Sequence, residues 1–327
     1  MAKIALIGTS GHFQYALDGV VKVTGAQMVG VAPGHDMEIL HDGFLRYNPQ
    51  IPIFKDYRKM LDVVKPDVVV VNPYFHLHAP IAIHCLERSI NVFCEKPLAL
   101  NLEDLARAQK ALGQSRLGLM MDYRYHPAFC ASFRAIQEGR IGEVIHITTQ
   151  KSYKNCEKPV WQRQRQYYGG TISWVGSHSM DWIICSSRGK RVSRIIAKDT
   201  ILHNRNNGEM ESAAYCCFEF EGGGQALASI DYLRPSSAPT HGDDRLRVVG
   251  SQGILEVMSD RAMLINENEG VQTLQIEPQP LIFEDFLNAI MLNRPFRQSH
   301  EEIWRLSKLC IAAQKSADSG EIFTQTI

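Results

Sequence analysis

Asn91 to Leu100 reads NVFCEKPLAL. The first four residues are mostly apolar and do not alternate with polar ones. An acid, a base and a proline then follow at once. A strand with one wet face alternates, whereas a strand covered on both faces need not. Neighbouring stretches repeat the pattern: KIALIG (Lys3 to Gly8), QMVGVA (Gln27 to Ala32), PDVVVVN (Pro66 to Asn72) and RLGLMMDYRY (Arg116 to Tyr125). Between several of them lie HLHAPIAIHCLERS and NLEDLARAQKAL, whose apolar residues recur three and four apart, as on one face of a helix. Buried strands alternating with helices predict a doubly wound, parallel α/β sheet over residues 1–122.

Beyond about residue 125 the pattern changes. PAFCASFRAIQEG reads as a helix, and GEVIHITTQKSY alternates like a half-exposed strand. SRIIAKDTIL, SAAYCCFEFE, QALASIDYL, RLRVVG and GILEVMS are further strands, with EGGGQ (Glu221 to Gln225) a hairpin turn. FEDFLNAIMLN and EEIWRLSKLCIAAQKSA close the chain as helices. Residues 123–327 are therefore expected to form an α+β domain with a mostly antiparallel, open sheet. Two domains suit a chain of 327 residues.

Lysine plus arginine equals aspartate plus glutamate, 35 each. A balanced charge speaks against nucleic acid or an anionic membrane as partner, since both select a basic face. The longest apolar run, DVVVVNP, is too short to span a bilayer. MAKIALIG enters a strand pattern directly, without the look of a secretory leader. The eight cysteines are scattered, with one adjacent pair (Cys216, Cys217) and no CxxC. Together these predict a reduced, cytoplasmic protein with neither a disulfide framework nor a zinc site.

LIGTSGHF follows the first strand and opens a helix, the setting of a dinucleotide-binding turn. The spacing G-x-G-x-x-G would place glycine at 8, 10 and 13; the chain has Gly8, Ser10 and Phe13, with an extra Gly11. The cofactor candidates here are Gly8, Thr9, Ser10, Gly11, His12 and Phe13. An acid usually ends the second strand and grips the adenine ribose of NAD. That position holds Pro33, and no arginine stands near enough to indicate NADP. Asp36 or His35 could serve, although a solvated loop explains both more simply.

Ligands of open parallel sheets bind beyond the carboxyl ends of the strands. Glu95, Lys96 and Pro97 occupy such an end. A lysine there is partly desolvated and suited to proton chemistry. His76 and His78 alone are too few for a metal site.

CEKPLAL, preceded by HLHAPIAIHCLERSINVF, resembles the lysine signature of the glucose–fructose oxidoreductase / inositol dehydrogenase / rhizopine-catabolism (Gfo/Idh/MocA) family. MMDYRYHPAF, EGRIGEV, YYGGTISWVGSHSMDW, GSQGILEV and FEDFLNAI resemble its later segments. The resemblance implies a Rossmann domain followed by an α/β domain whose open sheet makes oligomer contacts, as a homodimer or homotetramer. It implies NAD or NADP as cofactor and redox chemistry on a sugar, polyol or related small molecule. Lys96 and His178 match the family's catalytic lysine and histidine. Pro73, His78, Glu95, Lys96 and Arg124 match positions around the cofactor. Trp161, Arg163, Trp174 and Asp181, with Lys96 and His178, match the substrate side. Trp174 departs from the pattern, because many catalytic members carry an aspartate there. Indole cannot exchange a proton but can stack on a sugar or a ring. Besides a dehydrogenase, the sequence therefore admits a catalytically degenerate binding protein of the same fold, or an enzyme whose dinucleotide cycles internally.

Overall fold

The computed structural model describes residues 1–327 and divides into two units. The first takes Met1–Asp122 and Pro280–Ser307; the second takes Tyr123–Gln279 and Lys308–Ile327. The expected boundary and this division agree at Asp122/Tyr123. They differ at Pro280–Ser307, which returns to the first unit.

Strands β1 (Ala2–Ile7), β2 (Ala26–Ala32), β3 (Val68–Val71), β4 (Asn91–Cys94) and β5 (Leu117–Leu119) form one sheet in the order β2-β1-β3-β4-β5. All its ladders are parallel. Ile7 pairs with Val71, Val71 with Cys94, and Cys94 with Leu119. This register levels the strand ends, so Gly8, Asn72 and Glu95 leave the sheet along one edge. The valines of β3 are wholly buried, as runs without alternation require.

Phe93 explains why the late segment joins this unit. Its ring lies 4.9 Å from Phe283 and 5.2 Å from Phe286, both on helix Ile282–Met291. Gly118 makes room for that helix, since a Cβ there would stand 2.9 Å from the Phe286 ring. β5 is an edge strand, and side chains take up its outer donors: Leu119 N–H donates to Gln298 Oε1 (3.0 Å) and Leu117 N–H to His300 Nε2 (3.2 Å). β5 is also shorter than RLGLMMDYRY suggests. Asp122–Tyr125 is a 3-10 turn, and Pro127 opens the next helix at its first position, where a missing N–H costs nothing.

The second unit holds β6 (Val144–Lys154), β7 (Val192–Thr200), β8 (Ala213–Phe220), β9 (Gln225–Arg234), β10 (Gly242–Gly250), β11 (Gly253–Met258), β12 (Arg261–Asn266) and β13 (Gly270–Thr273). Their order is β13-β12-β11-β10-β6-β9-β8-β7, and only β6 and β9 run parallel. Gly222, Gly223 and Gly224 turn the β8–β9 hairpin with φ of 76°, 99° and 91°, a region closed to most L-residues. Helix Gly176–Ser186 packs on β6 and β9. It begins with glycine because a Cβ at Gly176 would meet the Ile230 side chain at 2.8 Å.

Candidate active site

In the first unit the strand ends assemble a buried polar network. Glu95 is fully buried and gathers three donors: its Oε2 accepts from the His12 backbone N–H (2.7 Å) and lies 2.7 Å from His12 Nδ1, while its Oε1 accepts from the Lys96 N–H (3.1 Å). Lys96 Nζ stands 3.3 Å from the same Oε1 and is almost wholly buried. Burial alone would push the Glu95 carboxyl up. The Lys96 ammonium and His12 reverse this and hold it well below the usual carboxylate range. The acid and base that end β4 thus form a desolvated ion pair, and the Lys96–Pro97 peptide bond beside it is cis.

Asn72, at the end of β3, completes the network. Its carbonyl accepts from Ser10 N–H (2.8 Å) and its Oδ1 from Gly11 N–H (2.7 Å). Pro73 packs on the turn, and a Cβ at Gly8 would fall 2.4 Å from it. His78 is fully buried, with Nδ1 2.7 Å from the Pro97 carbonyl oxygen and Nε2 3.1 Å from that of Pro73. Burial holds its pKa below the ordinary 6.5, against the Pro97 carbonyl and Glu95. A neutral ring has a single N–H and so donates to only one of these two carbonyls.

Glu38 was not foreseen. It comes further along the loop than Pro33, His35 and Asp36, yet it is only 7% exposed and folds back onto the first turn. Its Oε1 accepts from Thr9 N–H (3.1 Å) and the Ser10 hydroxyl, and its Oε2 from Gly34 N–H (2.8 Å). Burial pushes its carboxyl above the ordinary 4.5, against those three donors. Asp36 is exposed. Glu38 thus brings a buried carboxylate to the first turn, although β2 itself ends without one, and a carboxylate's four lone-pair sites leave one to spare.

These residues fit a dinucleotide. The donors of Thr9 to His12 are taken within the chain, but no acceptor in the chain reaches the N–H groups of Phe13 and Gln14, where the helix Gln14–Val20 begins. Orphan donors at a helix start suit a diphosphate, and a buried carboxylate beside the same turn suits ribose hydroxyls.

In the second unit, His178 lies on helix Gly176–Ser186, 4% exposed, its ring edge-on to Tyr123 at 5.3 Å. Asp181, one turn on, is wholly buried and accepts from Arg124 Nη2 at 2.7 Å and from Nε at 3.0 Å. Arg124 is therefore committed to Asp181. Trp174, one turn before His178, stands 5.6 Å from the Tyr168 ring and 6.2 Å from that of Tyr232. Trp161 is buried in the 3-10 turn Val160–Arg163. Arg163 donates from Nε to the Lys158 carbonyl (2.7 Å) and from Nη2 to Glu157 (2.7 Å), bracing its own loop.

Two lysines here had gone unread. Lys151 is wholly buried, 2.9 Å from Asp244 Oδ1, and donates to the Tyr123 hydroxyl at 2.8 Å. Tyr123 in turn donates to Asp244. Lys151 and Asp244 are directly opposed across β6 and β10. The signal was present: Lys151 is in phase with Ile147 and Thr149, the buried positions of an alternating strand. Lys158 is the second, with its Nζ 4.3 Å from the centroid of the Tyr232 ring.

Known proteins resemble this chain in both units. Residues 2–123 match a family described as an oxidoreductase family with an NAD-binding Rossmann fold, and residues 132–256 match the GFO/IDH/MocA C-terminal domain. A solved Thermotoga maritima structure, described as a candidate oxidoreductase, is 38% identical, with a TM-score of 0.94 over 98% of this chain and 99% of that one. The D-glucoside 3-dehydrogenase of Escherichia coli is 31% identical over 137 residues, 39% of this chain and 38% of that protein. The myo-inositol 2-dehydrogenase of Thermotoga maritima is 27% identical over 207 residues, 61% of this chain and 59% of that protein. In both dehydrogenases the match covers less than two thirds of the relative's length.

Proposed function

Because the chain belongs to the GFO/IDH/MocA family of NAD-binding oxidoreductases, we propose that it oxidises a hydroxyl-bearing carbon of a sugar or polyol, or reduces the matching carbonyl, with bound nicotinamide taking or giving the hydride. The observation that carries this reading is the buried Lys96–Glu95 pair at the end of β4 in the NAD-binding unit. Paired with Glu95, Lys96 serves as a donor to the reacting oxygen, favouring negative charge as it develops there. His178 takes the hydroxyl proton, since imidazole has an intrinsic pKa near the operating range. Asp181 and Arg124 hold the helix that carries it. Trp174 offers a stacking face in place of a proton carrier. Glu38 grips the adenine ribose, and the Phe13 and Gln14 N–H groups face the diphosphate.

The test is reduced-nicotinamide absorbance across a panel of sugars and polyols, with NAD binding measured separately by calorimetry. Substrate-dependent absorbance is expected. NAD binding with no absorbance change on any substrate favours the second reading, a silent binding protein. That reading draws on the Gly11 and His12 N–H groups, which already have acceptors within the chain.

Glu38 makes NAD the preferred cofactor, because a 2′-phosphate would meet its carboxylate. Glu38→Gln is expected to weaken NAD roughly tenfold and to narrow the NAD-to-NADP ratio, as loss of one charge-assisted hydrogen bond implies. An unchanged ratio in calorimetry would make Glu38 a brace of the turn only.

Ile196 and Tyr215, 36% and 47% exposed on neighbouring strands β7 and β8, support a homodimer or homotetramer built on the open sheet. Tyr215→Glu is expected to shift the sedimentation coefficient toward the monomer, and an unaltered value counts against that face. All eight cysteines are free thiols, and no helix is long and apolar enough to cross a membrane. Both support a reducing, cytoplasmic setting.

A further inference from the structure

Lys158 is held in a way that no other feature of the fold explains. Its backbone is pinned on both sides: its N–H donates to Asn207 Oδ1 (3.0 Å) and its carbonyl accepts from Arg163 (2.7 Å). The residue is 8% exposed. Its Nζ lies 4.3 Å from the Tyr232 ring centroid and 5.6 Å from that of Trp174. A ring face attracts a cation but offers no lone pair to its three N–H donors. No carboxylate pairs with Lys158; its one side-chain hydrogen-bond partner is Cys156, a weak acceptor that leaves its other N–H donors to be met. Lys151 shows what a structural lysine looks like in the same unit: more deeply buried, but neutralised by Asp244. A buried cation without a counter-charge is costly to keep, and such groups mark sites where a ligand completes the charge.

Two neighbours show what that ligand meets. Trp174 ends the short helix Thr171–Trp174, and His178 stands in the first turn of the next helix, four residues on. A group held at Lys158 and Trp174 therefore lies at the junction that leads into the helix of the imidazole. Tyr232 also walls an open groove of about 630 Å³, whose lining includes Asn155, His203 and Arg205 and no acidic residue. Burial pushes the Lys158 amine below its ordinary 10.5, and an arriving anion would reverse that.

Resting on the oxidoreductase reading, we propose that Lys158 binds a carboxylate carried by the substrate, so that the preferred substrate is a sugar acid and not a neutral polyol. Lys158 does not itself line the groove that holds Arg205 and His203, so the charge met beside Trp174 is one ammonium, which matches a monoanion.

The test uses the full-length protein with saturating NAD. Calorimetry measures binding of D-glucuronate, D-galacturonate and D-gluconate against D-glucose, D-galactose, sorbitol and D-glucose 6-phosphate, and nicotinamide absorbance follows each. At least one acid is expected to bind more tightly than its neutral counterpart. Lys158→Gln is expected to collapse that acid-to-neutral ratio by roughly ten- to a hundredfold, as loss of a charge-assisted hydrogen bond implies, while Lys158→Arg keeps most of it. A thermal melt confirms that each variant folds. The proposal is overturned if no acid binds, if acid and neutral sugars bind alike, if the sugar phosphate binds best, or if Lys158→Gln weakens both classes equally. Acid-selective binding lost in Lys158→Gln but without turnover upholds Lys158 and rejects the oxidoreductase reading. Turnover of neutral sugars alone does the opposite.

Discussion

Lys96→Met lowers kcat by at least about a hundredfold, the usual contribution of a positioned proton-handling group. The same substitution destabilises the first unit by about 3 kcal/mol, because it takes the ammonium away from the buried Glu95. Activity and stability are separated by the double variant Lys96→Met/Glu95→Gln. It removes both charges while an amide oxygen still accepts from the His12 N–H, so thermal stability is expected to recover and turnover is not. Recovery of turnover would reduce Lys96 to a counter-ion. The pH dependence has a definite sign. Glu95 is held below its ordinary 4.5, so its contribution to stability is present above that value and is lost as pH falls through the depressed one. Without Lys96, burial raises the Glu95 carboxyl, and acid unfolding of Lys96→Met begins at higher pH than in the parent chain.

Arg124→Met is expected to cost about 3–5 kcal/mol, since it strands the wholly buried Asp181 without its bidentate partner. For a unit of this size the melting temperature falls by about 10 °C. Arg124→Met/Asp181→Leu should recover most of the loss, because two apolar groups of similar volume replace the pair. Differential scanning calorimetry of the single and double variants decides the matter. If Arg124→Met melts like the parent but binds NAD more weakly, Arg124 belongs to the cofactor and not to the helix that carries His178.

The first sheet was legible because its signal is one-dimensional. Five apolar runs without alternation, spaced by helical patterns, leave few topologies open, and apart from the overlong β5 the strand bounds fall within about two residues of those read from the sequence. The place of Lys96 at the carboxyl end of β4 was readable from the strand pattern, whereas its catalytic role was implied by the family resemblance. The second sheet was read less fully. β12 (RAMLIN) and β13 (GVQT) are short and flanked by charge, and their existence depends on pairing, β12 with β11 and β13 with β12, which no local pattern announces. Glu38 was missed for a related reason. Its place at the first turn is set by a loop that folds back on itself, and sequence spacing assigns the ribose acid to the strand end. Lys158 sits in an irregular segment, where no periodicity says which way a side chain points. Lys151 was the avoidable miss, since the alternation of β6 marked its phase as buried.

The return of Pro280–Ser307 to the first unit bears on how this polypeptide matures. During synthesis the five parallel strands emerge early, but Phe93 and Gly118 stay uncovered until Phe283 and Phe286 leave the ribosome, and β5 lacks its Gln298 and His300 caps for longer still. The nascent amino-terminal half therefore carries an open apolar flank and an unprotected strand edge while the whole of the second sheet is being made. A fragment ending at Asp122 would keep that liability permanently, so excising the nucleotide-binding half as an independent module requires grafting the distant helix back onto it.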